Sequence, residues 1–377
     1  MTRVLIAGVS TRALAESAVR AGYEVVAVDG FGDLDLRARA DVVALARAGG
    51  SFSTSAAVRT ARSLPRDAVC YVASFENHPR AVAALARRGA LWGNSPSVLA
   101  RVRDPVRLAR ALVAHGCAAP ATRLTPPPAP ARTAWLVKPR ASGGGSGITG
   151  WRPHRRPPPG SYWQQRVMGV PGSIVFAADG HRAVPLGVSL LLAGERAFGA
   201  RGFRYCGNIL ARPAPGVRAL AMRLAAAVTE EFGLVGVNGV DFIVAGGVPY
   251  AIEVNPRYTA AMELVERATR VSVFETHARA CAGTLPSRDV AAARRPDGAL
   301  GKAVLYARRA LIAPATHGWL ADESLRDLPA PGERIARGRP ICTIFARGAN
   351  AAACRRALVA RARALYASLE RYRTHRA

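Results

Sequence analysis

The chain of 377 residues carries 53 lysines and arginines against 25 acidic residues, a formal net charge of +28, and half of it is hydrophobic. That length predicts two or three compact domains with enough apolar material for sizeable cores. No apolar run reaches the ~20 residues of a membrane span, and "MTRVLIAGVSTRA" enters a strand-like run after one basic residue, unlike a signal peptide; a cytoplasmic protein with no membrane partner is expected.

The first elements alternate between strand and helix. "RVLIAGV" reads as a buried strand, "STRALAESAVRAG" as a helix capped by Ser10 or Thr11 and stopped at Gly22, and "YEVVAVD" as the next strand. "AVCYVAS" is a later strand, followed by the helix "HPRAVAALARRG". This alternation predicts a parallel, doubly wound sheet over residues 1–95. Asp29 ends the second strand as in nicotinamide-binding folds, but the turn "GVSTRA" lacks the glycines of GxGxxG, so a scaffold or substrate-binding role is expected instead. In the loop "SFENHP", Glu76, Asn77 and His78 either touch a substrate or cap the next helix.

From "NSPSVLARVRDPVRLARALVAHGC" the pattern is helical until Pro120, and "TPPPAPART" forms a connector. Next come the strand "AWLVKP", the glycine-rich loop "RASGGGSGI", a proline-rich patch, and the strands "SYWQQRVMG" and "GSIVFAADG". A helix over 217–232 leads into a hairpin, "VDFIV" and "PYAIEVNP" joined by "AGGV". Short strands and turns follow over about 300–346, and a helix closes the chain. The predicted fold class is therefore mixed α/β and α+β, with domains over 1–95, 96–298 and 299–377.

The basic residues are spread along the chain rather than clustered, so the charge reads as a generally basic surface and nucleic acid is disfavoured as a partner. All but two are arginine. Lys138 and Lys302 are the exceptions, which suggests that a compact ammonium was wanted at each. The six cysteines show no metal-binding spacing and read as buried thiols.

Lys138 ends a buried strand and precedes Ser142, Gly143, Gly144, Gly145, Ser146 and Gly147. Glycine at that density lets backbone N–H groups fold over an anion, although a flexible linker has the same composition. In the hairpin, Asp241 falls roughly opposite Ile252 and Glu253, while Glu253 and Asn255 share a face. Two carboxylates and an amide oxygen converging there suit Mg²⁺, or Mn²⁺, with the remaining positions left to water and phosphate. Arg257 points the same way, with a fork suited to a phosphoryl or carboxylate group.

A lysine with a glycine-rich loop, followed downstream by Glu-x-Asn-x-Arg, resembles the ATP-grasp superfamily, and the resemblance covers most of the chain. It implies a Rossmann-like N-terminal domain, two α+β subdomains gripping ATP, and a lid-like C-terminal segment. By that likeness Lys138 contacts the nucleotide phosphates, residues 142–147 close over them, and Gln165, Arg166 and Val167 form the hinge that reads adenine. Asp241, Glu253 and Asn255 hold Mg²⁺, and Arg257 with Lys138 serves the transferred phosphoryl group. "GVNGVDFI…YAIEVNPRY" with "FRYCGNIL" is similar to ATP-grasp proteins grouped near tyramine–glutamate ligases, and the C-terminal segment to biotin carboxylase. The implied reaction activates a small-molecule carboxylate as an acyl-phosphate and joins it to an amine.

Three departures qualify the likeness. Pro105 stands where many members have a second lysine, so Arg103 or Arg107 must substitute. The hinge offers Ser173 where an acid for the ribose is usual. Ala261 lies four residues after Arg257, where biotin-carboxylase relatives have a glutamate base, which disfavours carboxylation. Tyr205 and Asn208 are candidates for the acceptor pocket or for a packed strand edge, and Glu263 with Glu266 reads as a solvated helix face. The alternatives are an ATP-grasp carboxylase or kinase and a non-enzymatic nucleotide- or RNA-binding protein. Of the assemblies open to the chain, a homodimer is the commonest.

Overall fold

The computed structural model describes residues 1–45, 52–128, 133–153, 155–287 and 298–374. The chain opens with β1 (Arg3–Gly8), α1 (Arg12–Arg20), β2 (Glu24–Asp29), α2 (Leu34–Arg37), β3 (Asp41–Ala44), α3 (Thr54–Ala61), β4 (Ala68–Tyr71), α4 (Pro79–Leu85) and β5 (Ala90–Leu91). The five strands pair in parallel in the order β3-β2-β1-β4-β5. The run Val4–Leu5–Ile6–Ala7 is wholly buried because helices cover both faces of the sheet. Val4 and Ile6 pack with Leu14 of α1, whereas Leu5 and Ala7 pack with Val82 and Leu85 of α4.

Thr11 occupies the N-cap of α1 but does not cap it through its side chain. Its hydroxyl and amide both donate to Asp29, at 2.8 and 2.6 Å, and the other Asp29 oxygen accepts the amides of Phe31 and Gly32. Asp29 is thus spent on the backbone turn after β2. This is the structural role expected of an acid without a GxGxxG loop before it.

The predicted single helical stretch beyond residue 94 is two helices, α5 (Pro96–Val102) and α6 (Pro105–Ala114). Pro105 disfavours helical backbone at the residue before it, and Asp104 caps α6 by accepting from the amides of Val106 and Arg107. A small antiparallel sheet follows, built from β6 (Thr122–Arg123), β7 (Trp135–Pro139), β8 (Thr149–Gly150) and β9 (Ser161–Gln165) in the order β6-β9-β7-β8.

The remaining elements are β10 (Val170–Asp179), β11 (Ala183–Ala193), β12 (Tyr205–Leu210), α7 (Pro215–Phe232), β13 (Val235–Ala245), β14 (Val248–Asn255), α8 (Ala260–Thr269), α9 (Val273–Cys281), β15 (Ala299–Tyr306), β16 (Leu311–Ile312), β17 (Leu325–Arg326), β18 (Arg334–Ile335), β19 (Pro340–Gly348) and α10 (Ala351–Thr374). Eight strands form one sheet, ordered β14-β13-β10-β11-β12-β15-β19-β17. The segment after residue 299 therefore continues this sheet through β12 and β15. Of the strands expected there to be short, β16, β17 and β18 have two residues each, whereas β15 and β19 are eight and nine residues long. One sheet face packs Ile174, Phe176 and Val240 against Leu224, Val228 and Phe232 of α7 and against α5 and α6. The other receives α8 and α9, which also pack on α1. No helix among the described residues is long and apolar enough to cross a membrane.

Glu263 and Glu266 are not a solvated face; they are 4% and 8% exposed. Glu263 accepts both terminal nitrogens of Arg12, at 2.5 and 3.1 Å, and the Lys302 ammonium at 2.6 Å. Arg12 is 1% exposed and also donates to Asp327 at 2.9 Å. Burial works against ionising Glu263, but Arg12 and Lys302 outweigh it and hold the carboxyl well below its usual range. Glu266 accepts Arg20, the Ser17 hydroxyl and the Val273 amide. Helical spacing reported the positions of these acids correctly, but their arginine partners lie 251 and 246 residues away, beyond the reach of any local pattern.

Two predictions follow from these interior groups. Glu263→Ala, which strands two buried cations, is expected to cost about 3–5 kcal/mol in urea unfolding; a loss near zero would show the cluster to be dispensable. His277 accepts the Val237 amide on Nδ1 and faces the Trp92 carbonyl with Nε2, and burial lowers its pKa from 6.5 to about 4. Its contribution is complete above the unfolded value and declines as pH falls towards 4, by roughly 3 kcal/mol at most. His277→Gln should therefore lose less stability than the parent between pH 7 and 4.5, and equal losses would contradict this origin.

Candidate active site

The hairpin β13–β14 turns through Gly246 and Gly247, whose φ angles of 56° and 79° allow the tight two-residue connection. In the resulting register Asp241 lies directly opposite Glu253, and Ser173 of β10 lies opposite Asp241 on its other side. Ser173 therefore sits beside the acids and not at the hinge. Ser189 continues this row one strand further and accepts the Asn208 amide at 3.1 Å. Asn208 also accepts the Tyr205 hydroxyl at 2.6 Å, so the two acceptor-pocket candidates, one buried and the other half-buried, satisfy each other.

Asn255 donates its amide to Asp241 at 2.9 Å and accepts Arg257 at 3.1 Å. Burial, and then repulsion by Glu253, raise the Asp241 pKa to about 6. Glu253 moves the other way: burial opposes its charge, but Arg103, Lys138 and Arg257 prevail and keep it below the ordinary range. Among the described residues no group of three or more His, Cys, Asp or Glu side chains is placed to hold a metal ion. Any cation at this hairpin therefore has two carboxylates and the Asn255 oxygen from the protein, a hard-oxygen set that suits Mg²⁺ completed by phosphate and water.

Of the two arginines that flank Pro105, Arg103 faces the hairpin. It donates to Glu253 at 2.7 Å and to the Val254 carbonyl, whereas Arg107 faces Glu231 on the outer surface at 3.8 Å. A second donor nitrogen of Arg103 reaches Asn77 at 2.8 Å. Glu76, 1% exposed, holds Arg257 through one carboxylate oxygen at 2.8 and 3.0 Å, and its other oxygen has no hydrogen-bond partner. The loop 74–79 thus anchors the site's two arginines, and His78, the N-cap of α4, makes no side-chain cap bond. A glutamate and an asparagine in a loop after a parallel strand were visible in the sequence; their pairing with Arg257 and Arg103 was not.

Lys138, from the small sheet, faces across to the hairpin. Its ammonium donates to Gln164 at 3.1 Å and to the Ile252 carbonyl at 3.3 Å. Gln164 is a partner that the sequence reading missed; its only signal was a polar residue at an inward position of "SYWQQ". In the hinge, the Gln165 and Arg166 amides donate to the Ala121 and Ala134 carbonyls, so a purine there would be read by other atoms of 165–167.

The glycine-rich loop lies down on the large sheet. The Gly144 carbonyl accepts the Tyr205 amide at 2.9 Å, and Gly144, Gly145 and Gly147 all have positive φ. A Cβ on Gly145 would stand 1.8 Å from the Phe203 carbonyl oxygen. The space between the sheets, lined by Arg103, Lys138, Ser142, Gly143, Gly145 and Glu253, measures only ≈ 40 Å³. Gly145→Ala should prevent the loop from lying down, and tryptic cleavage at Arg140 is expected to accelerate in the variant. An unchanged rate would mean that the loop closes by another route.

Residues 102–261 match a family model described as an ATP-grasp domain. An uncharacterized protein of Methanocaldococcus jannaschii is 27% identical over 120 residues, 32% of this chain and 28% of that protein, so the match spans little over a quarter of its relative. Biotin carboxylase from Campylobacter jejuni, solved as a β-γ-ATP complex, superposes with a TM-score of 0.68 at 15% identity, covering 93% of this chain and 88% of that one. N5-carboxyaminoimidazole ribonucleotide synthetase from Thermotoga maritima superposes at 0.66 with 16% identity, covering 96% and 98%. At these identities the likeness to the solved structures is one of fold.

Proposed function

The chain carries an ATP-grasp domain, and from that premise we propose an ATP-dependent ligase that joins a small-molecule carboxylate to an amine. The observation that carries the reading is the convergence of Lys138 and Arg103, from separate elements, on the Glu253 edge of the acidic hairpin beneath a glycine-rich loop. Those are the parts needed to position a triphosphate and neutralise charge as it develops.

In the proposed reaction a substrate carboxylate oxygen attacks the γ-phosphorus, the bond to the β-phosphate oxygen breaks, and ADP departs. The amine nitrogen then attacks the acyl carbon, phosphate leaves with its electron pair, and the nitrogen gives up a proton. Asp241, Glu253 and Asn255 would hold Mg²⁺, which when bound supplies charge neutralisation on the phosphates. Lys138 steadies the nucleotide phosphates, the 142–147 loop covers them, and residues 165–167 receive the base. Arg257, kept in place by Glu76, holds the transferred phosphoryl group or the carboxylate.

A second reading takes bicarbonate as the activated acid. Ala261 leaves no carboxylate four residues after Arg257, but Glu76 places one directly against that arginine. Product analysis separates the readings. With Mg-ATP and fractionated metabolites, ADP and phosphate should form only with fractions that supply a carboxylate and an amine. Glu253→Gln should reduce this turnover by roughly a hundredfold while the fold is retained. Turnover that follows added bicarbonate would favour the second reading, and AMP as product would reject both.

A further inference from the structure

A wide hollow outside the candidate active site lies between α3 and the loop 74–79, with a volume of about 730 Å³. Among the described residues its wall includes Ser55, Arg59, Arg62, Asn77, His78 and Arg80, and no acidic residue. The three arginines are exposed, and among the described residues none of their guanidinium groups has a carboxylate partner. This arrangement contrasts with the chain's other functional arginines: Arg12, Arg103 and Arg257 are each neutralised by an acid within 3 Å. Like charges gathered around one hollow repel unless an anion sits among them.

The cavity is also joined to the site. Asn77 lines it with one flank and accepts Arg103 at 2.8 Å, while its amide approaches the Ser142 carbonyl at 3.4 Å. Arg103 and Ser142 themselves line the space between the two sheets. A molecule seated among the arginines therefore ends one residue away from the groups proposed to handle phosphate.

We propose that this cleft is a second anion site, which binds a phosphate or carboxylate cluster on the far end of the substrate whose reacting carboxylate lies near Arg257. The substrate class is then a small, multiply charged oxyanion, an assignment that rests on the ligase reading. Guanidinium forks bind phosphate and carboxylate oxygens in pairs, so three of them select for charge number more than for carbon skeleton.

The test is calorimetric titration of the full chain at low salt with citrate and with pyrophosphate, each without nucleotide. Three proteins are compared: the parent, Arg59→Ala/Arg62→Ala, and the control Arg356→Ala/Arg363→Ala, whose arginines are exposed on α10. The parent should bind at least one probe, and the cleft variant should bind it about tenfold more weakly or worse, with the control unchanged. Preference for pyrophosphate would identify phosphate as the recognised group, and preference for citrate would identify carboxylates. No binding by the parent, or equal loss in cleft and control variants, would overturn the site. Mg-ATP binding, measured separately, should be the same in all three. If Mg-ATP binds none of them while the probe still depends on Arg59 and Arg62, the ligase reading falls and the anion site stands.

Discussion

The arrangement of the molecule depends on one buried ion pair, Arg12 with Glu263. Taking two full charges out of water costs several kcal/mol for each ion, and the pair recovers that only if every remaining donor and acceptor is met. Here Lys302 takes the second carboxylate oxygen and Asp327 takes the guanidinium Nε. Those four residues come from the first helix, from the helix after the hairpin and from two parts of the C-terminal segment. The charges can be satisfied only when all three regions are in place, so the cluster ties assembly of the regions to a single event. It also fixes the start of α8, and hence the position of Arg257, which immediately precedes that helix.

In a chain with 25 acidic residues against 53 basic ones, the acids are few and must be kept charged where they matter. Glu253 is held ionised by cations on three sides, whereas Asp241 pairs with an amide and stays poised near pH 6. The economy of lysine fits this scheme. Lys302 is enclosed against Glu263, and Lys138 projects between two sheets; in both places a rigid planar fork would be harder to fit than a compact ammonium. Elsewhere arginine performs the task, including Arg103 at the Glu253 edge.

The sequence was most informative where a few adjacent residues fix a local geometry. Lys138, the glycines after it and the Asp241–Glu253–Asn255 set were legible because a strand's period of two and a two-residue turn dictate which side chains meet. The parallel sheet was legible for a similar reason, since continuous apolar runs such as Val4–Ala7 suit strands covered on both faces. What escaped was determined by tertiary pairing. Glu263 and Glu266 look solvated in any helical projection until Arg12 and Arg20 are brought to them. The break between α5 and α6 went unread although Pro105 disfavours helical backbone at the residue before it, and the choice between Arg103 and Arg107 depended on where each side chain pointed. Glu76 read either as a substrate contact or as a helix cap, because its partner is 181 residues away.

The continuity of the large sheet has a consequence for what counts as a unit in this protein. The stretch matching the family model runs from 102 to 261, yet β12 within it is hydrogen-bonded to β15 beyond it, and α8 is cut two residues before Glu263. Severed at those limits, the stretch would expose an unpaired strand edge to other chains and would lose the helix that seats Arg257. The interval that matches the family model is therefore shorter than the sheet it belongs to, and the hydrogen bonding that completes that sheet comes from outside it.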